Sequence, residues 1–161
     1  MRSTDVQEII LICFEICRQT WQLIVSDTAP EYIIRKKEVV DFASTYPNCV
    51  KWFYESFYNK LFEKHPNFQP MFKKDMESQG RMLSGMVTSC IDWMGKDDET
   101  LHETLIRLVR RHAEFGVQAH MYGEMLDVLF WCLTHCLGTD TFTSEVSTSW
   151  AKVGRVSLTY I

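Results

Sequence analysis

Apolar positions recur at helical spacing along nearly the whole chain. Val6, Ile9, Ile10, Cys13, Ile16, Cys17 and Ile24 share one broad face, and Thr4 with Gln7 forms a capping box. Together they predict a first helix over residues 4–26, with Trp21 near its end. SDTAP breaks the pattern, and EYIIRKKEVVDFA (31–43) predicts a short amphipathic helix with Arg35, Lys36 and Lys37 on its solvated side. After Tyr46-Pro47-Asn48, the positions Val50, Phe53, Tyr54, Phe57, Tyr58, Leu61 and Phe62 predict an aromatic helix that stops at His65-Pro66. Two prolines in PNFQPMFKK (66–74) exclude a long helix there and predict a tight corner with Phe68 and Phe72 tucked inward.

Leu83, Met86, Val87, Cys90, Ile91 and Met94 make a wide apolar stripe on a helix ending at Gly95. Asp97 or Asp98 caps the next, whose stripe is Leu101, Leu105 and Leu108 and which Gly116 closes. Tyr122, Met125, Leu126, Leu129, Cys132, Leu133, Cys136 and Leu137 carry another helix to Gly138. Thr143 caps the last, with Glu145 in its first turn and Val146, Trp150, Val153, Val156, Ser157 and Tyr160 on its buried face. Nothing alternates like a strand and nothing repeats, so the fold class is all-α.

Composition narrows the function classes. With 161 residues, 46% of them hydrophobic, the chain is one domain with ample material for a core. A net charge of -4 argues against general nucleic-acid binding, which needs a basic face. Cys13 with Cys17, and Cys132 with Cys136, are spaced to lie along helices as small hydrophobes, which suits reduced thiols. The run Ile9 to Phe14 lacks a signal peptide's flanks and cleavage site. No apolar stretch approaches the roughly 20 residues of a membrane span. The expectation is a soluble, cytoplasmic chain with no membrane and no nucleic acid among its partners.

Two polar residues stand where the helical stripes call for apolar ones. His112 follows Leu108 by one turn, and Gln79 precedes Leu83 by one turn. A lone histidine so placed is ordinarily a hydrogen-bonded core residue. A second inward polar group on a different helix favours a site instead. Other candidates are weaker. Cys132, His135 and Cys136 share a helix face, but a structural zinc site wants four ligands and no partner pair stands out. Met82 and Met86 near the same face are at core spacing, and His65, His102 and His120 are expected at the surface. The chain has neither G-x-G-x-x-G nor a P-loop, and no C-x-x-C-H for covalent heme attachment.

FYNKLFEKHPNFQPMF (57–72), QGRML (79–83), RRHAEFGVQAHMY (110–122) and Trp150 are similar in order and spacing to the heme domain of bacterial flavohemoglobins and their single-domain relatives. The chain therefore resembles a globin, closely over residues 50–161 and more loosely over 13–25. The resemblance implies a three-over-three helical sandwich. Residues 1–49 would be an N-terminal helix plus a segment, about 27–49, longer than the usual link between the first two globin helices; residues 50–161 would be the core. His112 matches the proximal ligand to heme iron, Phe72 the phenylalanine packed on the porphyrin, and Pro66 the proline that turns the chain. Tyr58 and Gln79 match the distal positions facing the bound gas, and Leu83 the apolar residue one turn beyond. Tyr122 matches a proximal tyrosine, and Leu108, one turn before His112, joins the apolar set around the cofactor. The proximal network of flavohemoglobins ends on a glutamate about fifteen residues past the last-helix tryptophan, a position this sequence does not reach.

The cofactor so implied is noncovalent heme b, and the ligands are O₂, CO and NO. A neutral imidazole leaves the iron's sixth position open, and a dry apolar slot slows its oxidation. Hydrogen bonds from a tyrosine hydroxyl and a glutamine amide to bound O₂ are each worth about 1 kcal/mol, or roughly tenfold in retention. Three functions follow: a reversible O₂ binder or heme-based gas sensor with an output domain or partner protein; a nitric oxide dioxygenase served by an external reductase; and a heme-free helical interaction protein. The first is preferred. Acid-butanone should extract the heme from the purified protein intact, and retention of the pigment on the polypeptide would contradict noncovalent binding.

Overall fold

The computed structural model describes residues 3–93 and 99–158, with side chains described for 8–92, 103 and 106–155. Eight α-helices are present among them: α1 (Ser3–Val25), α2 (Pro30–Glu38), α3 (Phe42–Thr45), α4 (Cys49–Lys64), α5 (Met76–Trp93), α6 (Glu99–Glu114), α7 (Ala119–Leu137) and α8 (Ser144–Leu158). A 3-10 turn, Pro66–Met71, joins α4 to α5. No strand occurs among the described residues. The all-α class expected from the sequence is what the described residues adopt. The expected capping by Thr4 and by Asp97 or Asp98, and the side chains of Val6, Met94, Leu101, His102, Leu105, Val156, Ser157 and Tyr160, lie outside the described residues and side chains.

Local chemistry explains where the helices begin and end. The Asn48 side chain accepts a hydrogen bond from the Lys51 N–H at 2.8 Å and starts α4. Pro66 ends it, because the residue before a proline is pushed out of the helical region. Asp75 caps α5 through the Ser78 N–H (2.8 Å) and also accepts from the Ser78 hydroxyl (2.7 Å). Gly116 and Gly138, both at positive φ, end α6 and α7. Thr143 Oγ1 accepts from the Val146 N–H at 3.4 Å, as its expected capping role requires.

The inserted segment is built around aromatic rings rather than left as a loop. Tyr32 of α2 is buried, donates its hydroxyl to the Tyr46 carbonyl (2.9 Å), and packs near Phe42 and Trp52. Asp27, in the left-handed region at φ 61°, accepts the Cys49 N–H at 2.6 Å. That bond ties the segment's entry to the start of α4. Arg35 and Lys36 are exposed as expected, yet they lie over the Trp52 and Tyr32 rings at 5.6 and 5.7 Å. The basic run is therefore not simply a wet face.

Two expectations for the N-terminal region are corrected. The buried face of α1 is Cys13, Phe14, Cys17, Trp21 and Ile24, whereas Ile9 is exposed, as are Leu11 and Ile12, each about half. The face is rotated from the one expected because Trp21 and Phe14, the largest apolar side chains there, take the core. In addition, the segment Glu8–Glu38 is long and apolar enough to cross a membrane by length and composition, contrary to the expectation that no stretch approaches this. A helix contributing one face to a protein core meets the same criteria, and α1 packs its buried face on α8, α4, α5 and α7.

Two tryptophans anchor α1 by the same device. Trp150 of α8 donates its indole N–H to Thr20 Oγ1 at 3.0 Å, and Thr20 in turn donates to the Ile16 carbonyl at 2.9 Å. Trp21 donates to Thr88 Oγ1 of α5 at 2.8 Å, and Thr88 donates to the Ser84 carbonyl at 2.9 Å. Each threonine relays an indole N–H into its own helix, so neither indole donor is stranded. Thr20→Val keeps the shape and strands the Trp150 donor, and should cost about 1–3 kcal/mol in urea unfolding. Thr20→Ser should recover at least half of that loss, and equal stability of the valine variant and the wild type would contradict this account.

Candidate functional site

His112 lies in the last turn of α6. Its Nδ1 is 2.8 Å from the Leu108 carbonyl oxygen one turn back, and an acceptor there fixes the tautomer with hydrogen on Nδ1. The Nε2 lone pair is left as the ring's ligand atom. The Val117 N–H donates to the His112 carbonyl at 3.0 Å, so the chain leaving α6 folds back on the histidine.

His112 lines a partly open cavity of about 160 Å³ bordered by five helices. Phe57 reaches it from α4; Leu83, Met86, Val87, Cys90 and Ile91 from α5; Leu108 and Val109 from α6. Tyr122, Leu129 and Phe130 of α7 and Trp150, Val153 and Gly154 of α8 close the other sides. The lining is almost wholly apolar. Burial holds the Tyr122 hydroxyl above its ordinary range, so it is protonated at neutral pH. Its ring centroid is 6.0 Å from that of His112. The arrangement offers a single nitrogen donor in an apolar space, the donor set that suits an iron porphyrin with one open coordination position.

The structure brings Leu83, Leu108, His112 and Tyr122 together around this cavity. Tyr58, Gln79 and Phe72 form a second group that is absent from its lining. Phe72 is half-buried, with its ring against Tyr58 at 5.2 Å and Phe62 at 5.4 Å. Tyr58 donates its hydroxyl to the backbone carbonyl of Gln79 at 3.2 Å, and burial keeps that hydroxyl protonated well above the usual phenol range. The Gln79 side chain is half-buried and its amide makes no hydrogen bond among the described residues. The hydroxyl and the glutamine are thus neighbours as expected, but joined through the main chain.

Phe57, Cys90 and Trp150 were not singled out by sequence as cavity residues. Spacing held part of the signal, since Leu83, Val87 and Cys90 recur at helical intervals, but it could not say which side of a wide stripe faces a void. Among the other candidates, His135 is half-buried and stacked on Trp131 at 4.8 Å, and Met82 is exposed. No group of three or more His, Cys, Asp or Glu arranged for a metal ion occurs among the described residues. His65 is half-buried against Phe68, 5.2 Å away, so it is less exposed than expected.

All six cysteines are free thiols, and Cys90 alone is not fully buried. Burial raises its pKa, so its thiolate fraction near pH 8 is below that of an ordinary cysteine. A neutral maleimide should modify one thiol in the ligand-free chain, slowly at pH 7 and by up to about tenfold faster per pH unit as the thiolate forms. One equivalent of hemin should protect Cys90, and unchanged labelling in its presence would mean that the pigment occupies some other place.

Residues 55–161 match the family model for Globin. The match begins within α4 and takes in every residue of both groups described above.

Proposed function

Since the chain belongs to the globin family, we propose that it carries one noncovalent b-type heme on His112 and binds O₂ reversibly beside Tyr58 and Gln79, as an oxygen binder or gas-sensing module. The observation that supports this reading is His112 itself. Its Nδ1 is taken by the Leu108 carbonyl, its Nε2 has no partner among the described residues, and the ring borders an apolar cavity. Heme, when bound, supplies a ferrous iron with one position open to a diatomic gas.

The chain's own residues do the rest. The Leu108 carbonyl orients the His112 ring and raises the basicity of Nε2. Leu83, Val87, Leu108 and Leu129 exclude water from the space His112 faces. Gln79 carries amide hydrogens with no other partner, available to a polar ligand. The Tyr58 hydroxyl already has an acceptor, so its help to a ligand is reduced by the bond it must give up. O₂ gains more than CO from such donors, since bound O₂ is the better hydrogen-bond acceptor. Nitric oxide oxidation with an external electron donor is a second reading, favoured by the juxtaposition of Tyr58 and Gln79.

Stopped-flow displacement tests the distal pair. Gln79→Leu should speed O₂ release by roughly tenfold, the loss of one hydrogen bond of about 1 kcal/mol, while CO release stays nearly unchanged. Tyr58→Phe should speed O₂ release by less than about threefold, because the hydroxyl is already engaged. His112→Ala should lower heme retention sharply. A His112→Ala protein with normal heme content and an unchanged ferrous spectrum would overturn the proximal assignment, and equal effects of Gln79→Leu on O₂ and CO would overturn the distal one.

A further inference from the structure

The contact between α4 and α5 that joins Tyr58 to Gln79 is made close by a glycine. A Cβ placed on Gly80 would come within 2.2–2.4 Å of three ring carbons of Tyr54, where ordinary contact needs at least 3.4 Å. The nearest of them, Cγ, is the root of the ring rather than the far end of a flexible chain, and Tyr54 is buried on α4. A glycine inside a helix weakens it, so its presence in mid-α5 is compensated by the approach it allows. Gly85, in the same helix, has nothing within 4 Å of its missing Cβ.

Tyr54 and Tyr58 are one turn apart on α4, and Gln79 and Gly80 are adjacent on α5. The ring contact and the hydroxyl bond therefore share one interface. The bond is already long at 3.2 Å. Restoring normal contact around an added Cβ requires α5 to rise by about 1 Å, which takes the Tyr58 oxygen beyond hydrogen-bond distance of the Gln79 carbonyl.

We propose that Gly80 is a positioning residue for the distal donor: by letting α5 rest on the Tyr54 ring, it commits the Tyr58 hydroxyl to the Gln79 carbonyl and withholds it from the bound gas. Loosening this contact hands the hydroxyl to the ligand. The gas affinity of the site is thereby set by helix spacing as well as by the identity of the donors. The inference rests on the reading of this chain as a heme protein with Tyr58 and Gln79 on the distal side.

The test uses the full chain loaded with heme, with helix content by circular dichroism and heme stoichiometry recorded for every variant. The readouts are the C–O stretching frequency of the carbon monoxide complex, which falls when a donor reaches the ligand, and the O₂ release rate. Gly80→Ala should lower the stretch and slow O₂ release by about threefold or more, the return of one donor. Adding Tyr58→Phe should abolish both changes, and adding Tyr54→Leu, which makes room for the methyl, should reverse them. Gly85→Ala should leave both at wild-type values. A folded, heme-loaded Gly80→Ala protein with the wild-type stretch, or one whose changes survive Tyr58→Phe, overturns the proposal. Should Gly80→Ala fail to fold, Tyr58→Phe in the otherwise wild-type chain decides. A stretch unchanged by loss of the hydroxyl supports the commitment of Tyr58, and a large rise shows that the hydroxyl already faces the ligand. Failure of the wild-type chain to take up heme would instead defeat the underlying functional reading.

Discussion

α4 packs against α1, α5, α7 and the 3-10 turn, and against the inserted segment through Trp52. Trp52 is against the inserted segment, the Phe53 carbonyl accepts a hydrogen bond from the Cys132 thiol of α7 at 3.2 Å, and Tyr54 lies under Gly80 of α5. Phe57 borders the cavity, and Tyr58 donates to Gln79. A helix engaged by several neighbours helps fix the height and angle of each, because close-packed interiors transmit a displacement rather than absorb it. The cavity behind His112 keeps its shape because α4, α7 and α8 are locked around one another and around α1.

The locking depends on directional bonds as well as on apolar burial. The paired indole-to-threonine bonds fix α1 against α5 and α8 at chosen points, where apolar contact alone would let the helices slide. The inserted segment follows the same logic. Tyr32, Phe42, Tyr46 and Trp52 give it an aromatic centre, and the Asp27 carboxylate fastens its start to α4. Arg35 covers Trp52 while keeping its charge in water, so that part of the surface is shielded without a further apolar residue. A segment longer than a simple link is thus a structural layer over α4 and α7.

The two groups of candidate residues are held by different kinds of bond. On the His112 side, a nitrogen donor is fixed by one main-chain acceptor within its own helix, so its orientation depends on α6 alone. On the Tyr58 side, the donor's partner belongs to a different helix, so its state depends on how α4 and α5 meet. Local bonds hold under small shifts between helices, whereas bonds between helices report them. That difference makes the Tyr58–Gln79 contact the adjustable one.

Helical periodicity and punctuation by proline and glycine were enough to place most of the helices, because those signals are local: Pro66 and Gly138 act on their own turns whatever surrounds them. The exception is the single helix expected over 31–43, where the chain breaks after Glu38, turns left-handed at Asp41 and starts the separate α3 at Phe42. The stripe that carries His112 was also legible, since a polar residue at an apolar position is visible from spacing alone. The family match over residues 55–161 covers the stretch from Phe57 to Trp150 on which the resemblance to a globin was read. What the sequence did not determine is which side of α1 is buried, that Arg35 lies over Trp52, that Cys90 and Trp150 border the cavity, and that the Tyr58 hydroxyl is taken by a carbonyl. Each depends on the distance and rotation between elements far apart in the chain, quantities fixed by side-chain packing such as that of Tyr54 on Gly80. A one-dimensional pattern gives the face of a helix to within a wide arc, and only the packed structure selects the residue within it.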